Sequence, residues 1–329
     1  MSSNRPLVTM HIACYNQEWC IRETLEGAFS QTYSPLDIVV SDDCSTDRTW
    51  QIVLEMVERY RREDGRHNVI LNRNPENSYR AETKIKDSIR AHIHSLWKGD
   101  LIVQADGDDV SLPNRVEEIV RHWVENDKKP DLIMSGAFLI GKDGNSLGVK
   151  SCYSHPSGSS MAYTVRMENT YGLFRISPIH GDEVRYWRAK MLGGVVLIDK
   201  PLLKYRICNG YSQTCGDFRR GMVRNYTCIR NNRKQLLQDV EKIRDRLSAP
   251  DYKNWKWQFA HELKMWDEEL LLWESDSLPM RWRGYRSMKM KRRFLSGMVV
   301  YGPLLLLPRW VGDPLLNLAH KIVKIVHVK

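Results

Sequence analysis

Along the first 140 residues the hydrophobic positions alternate between two spacings. Val8 to Ala13 is a short apolar run of β-formers. Trp19 to Gln31 follows with apolar residues at helical spacing, at Trp19, Ile21, Leu25, Ala28 and Phe29. The exchange then repeats. Leu36 to Ser41 reads as a buried strand, and Asp47 to Arg62 as a helix with Trp50, Ile52, Val53, Met56, Val57 and Tyr60 along one side. His67 to Leu71 is a strand, Tyr79 to Trp97 a helix and Leu101 to Ala105 a strand; a helix enters at Pro113 and runs to Val124, and Leu132 to Ile140 is again strand-like. This alternation predicts an α/β domain with a mostly parallel sheet and helices on both faces.

From Gly141 to Gly158 the pattern loosens into the turn signal GKDGN and the Ser/Pro/Gly-rich SHPSGSS, which predicts a mobile loop. Asp182 to Met191 is a helix, followed by two short strands, Val195 to Ile198 and Leu202 to Ile207. Beyond residue 216 the character changes. Leu236, Leu237, Val240, Ile243 and Leu247 form one helical stripe; after Ala249-Pro250, Trp255, Phe259, Leu263, Trp266, Leu270 and Trp273 form a second. Two such stripes predict an αα-hairpin whose aromatic face suits core or homo-oligomer packing. Arg281 to Arg293 is strongly basic, and Phe294 to Pro308 is uncharged and apolar, interrupted by Pro303. The expected organisation is an α/β domain over 1–215, a helical hairpin extension over 216–280 and a basic, apolar C-terminal segment over 281–329.

Composition narrows the partners. The chain has 329 residues, 42% hydrophobic and 27% charged, as in ordinary globular proteins, but its net charge of +10 calls for an anionic partner: nucleic acid, a lipid surface or a phosphorylated substrate. The charge gathers near the tail and no nucleic-acid recognition motif accompanies it, so nucleic acid is not expected. The basic stretch followed by the apolar run, with Trp310 close by, predicts attachment to a membrane surface; the run is too short to span and Pro303 breaks it. The alternative is that these apolar residues cover the α/β domain or a dimer interface. MSSNRPLVTM carries no apolar stretch of signal-peptide length, and the seven cysteines are odd in number and scattered, which fits a reducing cytoplasmic setting.

Two acidic clusters stand at predicted strand ends, where open α/β sheets place their ligands. Asp106-Gly107-Asp108-Asp109 follows LIVQA. Carboxylates so close repel unless a cation neutralises them, and hard oxygen donors suit Mg²⁺ or Mn²⁺ shared with substrate phosphates. Taken alone, the same four residues suit a solvated acidic turn. Asp42-Asp43-Cys44-Ser45-Thr46-Asp47 is the second cluster. Ser45 or Thr46 suits a helix cap there, and Asp43 suits a hydrogen bond from a nucleobase or ribose.

VTMHIACYN, SQTYSPLDIVVSDDCSTD and GDLIVQADGDDVSLPNRVE, in that order, resemble the GT-A domain of family-2 inverting glycosyltransferases. His180-Gly181-Asp182-Glu183, then Tyr186-Trp187-Arg188-Ala189, Leu192-Gly193, Pro201-Leu202 and Tyr205-Arg206, resemble the catalytic-base helix of that family and the strands after it. The resemblance spans residues 7 to 212. It implies a Rossmann-like sheet with a C-terminal helical extension, and a metal-dependent inverting enzyme that moves a sugar from a nucleotide-diphosphate donor, UDP-sugar foremost, to a glycan acceptor. It also implies roles. Ala13, Cys14 and Tyr15 flank the nucleobase and Asp43 binds it. Asp106 and Asp108 hold the ribose or donor sugar. Asp109, with Asp108, holds the divalent ion, and Asp182 is the general base. Arg80 and Lys84 are candidates for the diphosphate. Out of that context Asp182 suits an N-cap of its own helix. The chain departs from the family pattern at Ala13, where Pro is usual, and at Cys208, where His is frequent. Relatives of this kind extend polyprenyl-diphosphate-linked precursors of surface polysaccharides, which implies such an acceptor and a place on the inner face of the cytoplasmic membrane. Two other readings remain: a sugar nucleotidyltransferase, although the Gly-rich basic N-terminal loop is missing, and an inactive scaffold of an assembly complex.

Overall fold

The structure is a computed structural model that describes residues 5–152, 157–207, 218–290, 304–309 and 312–319. Cys208, Trp310 and residues 294–303 of the apolar run lie outside the described residues. By compactness the chain divides into two units, residues 1–173 with 181–208, and residues 174–180 with 209–329.

The first unit opens with β1 (Val8–Cys14), α1 (Ile21–Phe29), β2 (Leu36–Asp42), α2 (Thr49–Glu63), β3 (Asn68–Arg73), α3 (Thr83–Leu96) and β4 (Leu101–Asp106). It continues through β5 (Val110–Ser111), α4 (Arg115–Glu125), β6 (Leu132–Ile140), β7 (Ser146–Lys150), β8 (Met161–Thr164), α5 (Val165–Tyr171), α6 (Gly181–Met191) and β9 (Val195–Arg206). Among the described residues these strands form one sheet in the order β3-β2-β1-β4-β8-β6-β9-β5, with β7 on β6. The β3-β2-β1-β4 half is parallel, as is the β6–β9 pair; β8 runs against both β4 and β6. The α/β expectation therefore holds, as a mixed, mostly parallel sheet flanked by helices.

Strand alternation divides β1 between two environments. Val8, Met10, Ile12 and Cys14 face a core closed by Leu25 and Ala28 of α1, Val53, Met56 and Val57 of α2, and Val116, Ile119 and Val120 of α4. The alternate residues Thr9 and His11 are also buried, but polar, as are Ser41 on β2 and Asn72 on β3. Of α3, Ile89 is the residue fully buried. At about 1.5–3 kcal/mol per buried aliphatic side chain, apolar burial anchors α3 several-fold less than α2, which buries Ile52, Val53, Met56 and Val57.

Several predicted boundaries move. The loop expected over 141–158 contains strand β7, because the residues after GKDGN return antiparallel along β6. β8 and α5 were not anticipated; four and seven residues are too few to display a period. The helix expected from Tyr79 begins at Thr83, after a turn in which the N–H groups of Arg80 and Ala81 both donate to the Asn77 carbonyl at 3.0 Å. The two strands expected after residue 194 are the single β9, whose pairing with β6 shifts register near Gly136.

The second unit contains α7 (Phe218–Lys242), α8 (Ala249–Glu274) and α9 (Leu278–Met290). Pro250 and the Ser248 side chain, which accepts from the Asp251 N–H at 3.2 Å, start α8. The predicted stripe is buried at Phe259, Trp266, Leu270 and Trp273. Helix α7 begins well before Leu236 because polar residues occupy its covered face. Asn232 accepts from the His180 N–H at 3.0 Å, Gln235 from the Arg175 N–H at 2.8 Å, and Asn231 donates to the Pro178 carbonyl at 3.0 Å. Those side chains satisfy the main chain of 174–180, so their burial leaves no apolar signal. Leu305, the described end of the apolar run, is fully buried with Tyr226, Trp266 and Trp273; that end is covered by protein.

Candidate active site

The acidic turn is built by close backbone approach. Ala13 pairs with Asp106, and the Gly107 N–H donates to the Ala13 carbonyl at 2.8 Å, which extends the β1–β4 ladder one residue past the strand. A Cβ on Gly107 would lie 2.6 Å from Cys14 Cβ and 2.2 Å from Gln17 Oε1, so the approach requires glycine. The Gly107 carbonyl accepts from Thr24 Oγ1 at 2.9 Å. The chain then reverses, with the Asp109 N–H on the Asp106 carbonyl at 3.1 Å, and leaves along β5, which pairs with β9.

That pairing holds Asp109. Its Oδ1 accepts from the Arg206 N–H at 2.7 Å, while Oδ2 is buried with no hydrogen-bond partner among the described residues. Burial, then the charges of Asp106 and Asp108, push the Asp109 carboxyl up to about 8 against its hydrogen bonds. Asp106 is also raised, by burial first and then by Asp108 and Asp182, while a hydrogen bond from Ser159 Oγ at 2.6 Å and the Arg115 charge oppose the rise. The site therefore carries more negative charge than its neighbours offset.

Two buried arginines brace the turn. Arg206 donates from Nε to the Asp108 carbonyl at 2.9 Å, from Nη1 to the carbonyls of Gly141 and Lys142 at 3.2 and 3.1 Å, and from Nη2 to Glu23 at 2.7 Å. Arg115, the arginine of the SLPNR stretch, donates to Ser111 Oγ at 2.9 Å, to the Gln104 carbonyl at 2.8 Å and to the Ser159 carbonyl. Burial lowers it to about 10 against the pull of Asp109 and Asp106, so it remains a cation beneath the acids.

Asp182 lies in the first turn of α6, inside the helix, and its Oδ1 accepts from the Glu183 N–H at 2.9 Å. It is half-buried, and its charge acts on Asp106, Lys150, Arg185 and Tyr205. The fold thus brings Asp182 within electrostatic reach of Asp106 across more than seventy residues of sequence. One helical turn on, Arg185 donates from Nε to the buried Glu168 at 2.7 Å and lies 4.4 Å from the Tyr163 ring centroid, which fixes α6 against α5 and β8.

The other sequence-predicted residues fall as follows. Ala13 is exposed and Tyr15 half-buried; Cys14 turns its thiol into the core, where burial and then Asp42 raise its pKa, and donates to the Ser41 carbonyl at 3.6 Å. Asp43 is fully engaged within the protein: it accepts from Asn74 Nδ2 at 2.7 Å, Asn77 Nδ2 at 3.0 Å, the Ser78 N–H at 2.9 Å and Ser78 Oγ at 3.0 Å. Its carboxylate shapes the loop 74–78. Arg80 and Lys84 are exposed in the turn before α3 and in its first helical turn.

Sequence reasoning missed Ser159, Lys150 and Glu168. Ser159 and Glu168 left no signal. Lys150 had one, since GKDGN followed by S-L-G-V-K is a turn and a period-two strand.

No group of three or more His, Cys, Asp or Glu side chains poised to hold a metal occurs among the described residues. Asp108 and Asp109 supply two hard oxygen donors. That set fits Mg²⁺ or Mn²⁺, which use one or two carboxylates and complete their shell with substrate phosphates and water; the buried Asp109 Oδ2 and the excess negative charge fit a cation as well.

Residues 9–131 match the profile of the family described as Glycosyl transferase family 2. Among curated proteins, the chain is 27% identical over 145 residues to an uncharacterized glycosyltransferase of Methanocaldococcus jannaschii, covering 44% of this chain and 46% of that one. It is 30% identical over 142 residues to the UDP-Glc:alpha-D-GlcNAc-diphosphoundecaprenol beta-1,3-glucosyltransferase WfaP of Escherichia coli, covering 40% and 51%. The matches thus span about half the length of these relatives. Among solved structures, S. aureus TarS 1-349 in complex with UDP-GlcNAc superposes with a TM-score of 0.55 at 14% identity, over 96% of this chain and 91% of that one. The mannosyltransferase PcManGT from Pyrobaculum calidifontis, in complex with GDP-Man and Mn2+, gives 0.53 at 16%, over 97% and 87%. At these identities the structural likeness establishes the fold.

Proposed function

From the premise that this chain has a GT-A fold and that its residues 9–131 are a family-2 glycosyltransferase segment, we propose that it is a metal-assisted inverting glycosyltransferase. The donor is a nucleoside-diphosphate sugar, with a UDP-sugar favoured, and the acceptor is a hydroxyl of a glycan. The observation that carries this reading is the convergence of Asp182 on the acidic turn Asp106–Asp109 at the carboxyl edge of the parallel strands.

The chemistry follows from the groups present. The Asp182 carboxylate takes the acceptor hydroxyl proton. The acceptor oxygen forms a bond to the anomeric carbon as the bond from that carbon to the β-phosphate oxygen breaks, and the electron pair departs on the nucleoside diphosphate. A single displacement inverts the anomeric centre. Asp108 and Asp109 would hold the divalent ion, which offsets the charge of the leaving diphosphate; PcManGT, solved with Mn2+, supports that assignment. Ala13 and Tyr15 border the nucleobase region, with the loop shaped by Asp43 beside it.

The proposed acceptor is lipid-linked and the protein peripheral on the inner face of the membrane. WfaP, named for a diphosphoundecaprenol substrate, supports the first point. For the second, no helix among the described residues is long and apolar enough to cross a membrane, while Leu278, Met280 and Trp282 stand exposed on α9 beside the exposed Arg283 and Arg286.

The test is to incubate purified protein with UDP-, GDP-, CDP- and ADP-sugars and Mn²⁺, and to measure release of free nucleoside diphosphate with and without glycan acceptors. Acceptor-stimulated release from one donor class is expected. The absence of release from all four, with acceptors of both free and polyprenyl-diphosphate-linked type, would defeat the assignment.

A further inference from the structure

The acidic site contains a cation that no motif announces. Lys150 is the last residue of β7, the strand at the edge of the β6 pairing, where it stands opposite Ala137. Its Nζ lies 5.2 Å from the ring centroid of Tyr205 on β9. Tyr205 precedes Arg206, whose N–H holds Asp109 at 2.7 Å, so the ammonium is seated on the wall that carries the acidic turn. Four carboxylates act on the Tyr205 hydroxyl: after burial, Asp109, Asp106, Asp108 and Asp182 together push it up to about 12, so it remains a neutral donor. Lys150 is half-buried. Burial holds its ammonium below the ordinary lysine range, while Asp182 and then Asp109 pull it back up.

A surface lysine gains more by extending into water than by lying over a ring, and an exposed cation–π contact offers only about 0.5–1 kcal/mol. Among the described residues no oxygen accepts a hydrogen bond from its ammonium. Lys150 is thus partly desolvated and attracted by carboxylates that it does not touch, with its donors uncommitted. A ligand that brings its own anionic oxygens between Asp109 and Asp182 would satisfy those donors. In the reaction proposed above, the group that gains charge there is the departing diphosphate.

We propose that Lys150, seated on Tyr205, hydrogen-bonds the terminal phosphate of the nucleoside diphosphate and stabilises it as a leaving group. When the bond from the anomeric carbon to the β-phosphate oxygen breaks, the electron pair stays on that phosphate. An ammonium in contact with the phosphate stabilises this charge more than it stabilises the bound donor, and so accelerates transfer. Arg80 and Lys84 are exposed around the start of α3. The inference rests on the glycosyltransferase reading and deepens it.

The experiment is calorimetric and does not depend on turnover. UDP, GDP, CDP and ADP are titrated into wild-type protein with Mn²⁺ to find the one that binds. That diphosphate and its monophosphate are then titrated into Lys150→Met and Lys150→Arg, with circular dichroism as the check on folding. A charge-assisted hydrogen bond corresponds to about 10- to 100-fold in affinity. Lys150→Met should therefore lose at least 10-fold for the diphosphate and less than about 3-fold for the monophosphate, which lacks the contacted phosphate. Lys150→Arg should retain most of the diphosphate affinity. Equal losses for both nucleotides would mean that Lys150 acts only as a distant charge against the carboxylates, and unchanged diphosphate affinity would mean that it touches neither; both results overturn the proposal while leaving the glycosyltransferase reading intact. If wild-type protein binds none of the four diphosphates, that reading fails and the role of Lys150 fails with it.

Discussion

The main-chain N–H of Arg206 donates to Asp109 Oδ1 at 2.7 Å, and the other oxygen of the same carboxylate is buried without a partner among the described residues. One half of Asp109 is thus committed to holding β9 beside the acidic turn, and the other half is free to act on a ligand. Asp109→Asn keeps an acceptor for the Arg206 N–H but removes the anionic donor. The variant should fold as wild type does and lose Mn²⁺-dependent binding of the nucleoside diphosphate, by tenfold or more. Calorimetry with Mn²⁺ and with EDTA reads this directly. Metal-dependent binding of wild-type strength in Asp109→Asn would place the ion elsewhere.

Gly107 gives a purely structural prediction. Its missing side chain lets the turn approach Cys14 and Gln17, where a Cβ would meet atoms at 2.6 and 2.2 Å. Gln17 is able to swing aside, but Cys14 Cβ belongs to β1 and is held by the sheet. Gly107→Ala should cost about 1–3 kcal/mol, the range for forced overpacking, and lower the thermal midpoint by several degrees. A midpoint equal to wild type would show that β1 and the turn separate freely.

Sequence and structure agree where each layer repeats one period. β1, β2 and β4 are apolar runs closed by Asp or by Cys14, and α1, α2 and α4 each bury one stripe, so spacing alone locates them. Legibility ends where burial is polar or pairing is distant. His11, Asn72 and Asn232 are core positions occupied by polar side chains, invisible to any apolar pattern. In the site, Asp106, Asp108, Asp109 and Asp182 stand out because carboxylates cluster in short motifs. Ser159 reaches Asp106 across 53 residues and Lys150 reaches Tyr205 from another strand, and no local pattern records either meeting.

His11 predicts an acid-sensitive fold. It is buried on β1 with neither ring nitrogen hydrogen-bonded among the described residues, and its ring lies 5.5 Å from that of Trp97. Burial lowers it from 6.5 to about 4, a shift that the charges of Arg185 and His94 reinforce. A histidine with a lowered folded pKa stabilises the neutral side of its titration. Its contribution is complete above pH 6.5 and is lost as pH falls from 6.5 toward 4, to a total of about 3 kcal/mol. Denaturant midpoints measured across that window should fall for wild type and stay flatter for His11→Phe. Parallel slopes would mean that other groups cause the acid sensitivity.

Surface attachment is tested on α9. Leu278, Met280 and Trp282 are 54%, 40% and 49% exposed, and Arg283 and Arg286 are exposed beside them. Basic side chains near an anionic surface contribute about 1 kcal/mol each, and that contribution is screened by salt. Wild-type protein should sediment with phosphatidylglycerol vesicles at low salt, and Leu278→Ser with Trp282→Ser should abolish most of this without altering the melting curve. Equal sedimentation of the double variant would remove α9 from the attachment.

Asp182 separates chemistry from binding. Its carboxylate sits in the first turn of α6, held by the Arg185–Glu168 pair one turn away, and its Oδ1 accepts from the Glu183 N–H at 2.9 Å. Asp182→Asn keeps the size of the side chain and an acceptor for that N–H, but cannot take a proton. General-base catalysis contributes about 10²- to 10⁴-fold, so the turnover number should fall by that amount while affinity for the nucleoside diphosphate changes less than about twofold. Glu183 is the neighbouring carboxylate in the same helical turn and serves as the internal control, since Glu183→Gln should leave turnover within a few-fold of wild type. If Asp182→Asn turns over normally and Glu183→Gln does not, the base is Glu183 and α6 presents its next residue to the acceptor. If both turn over normally, the acceptor proton leaves by another route and the convergence of Asp182 on Asp106 serves only to shape the site.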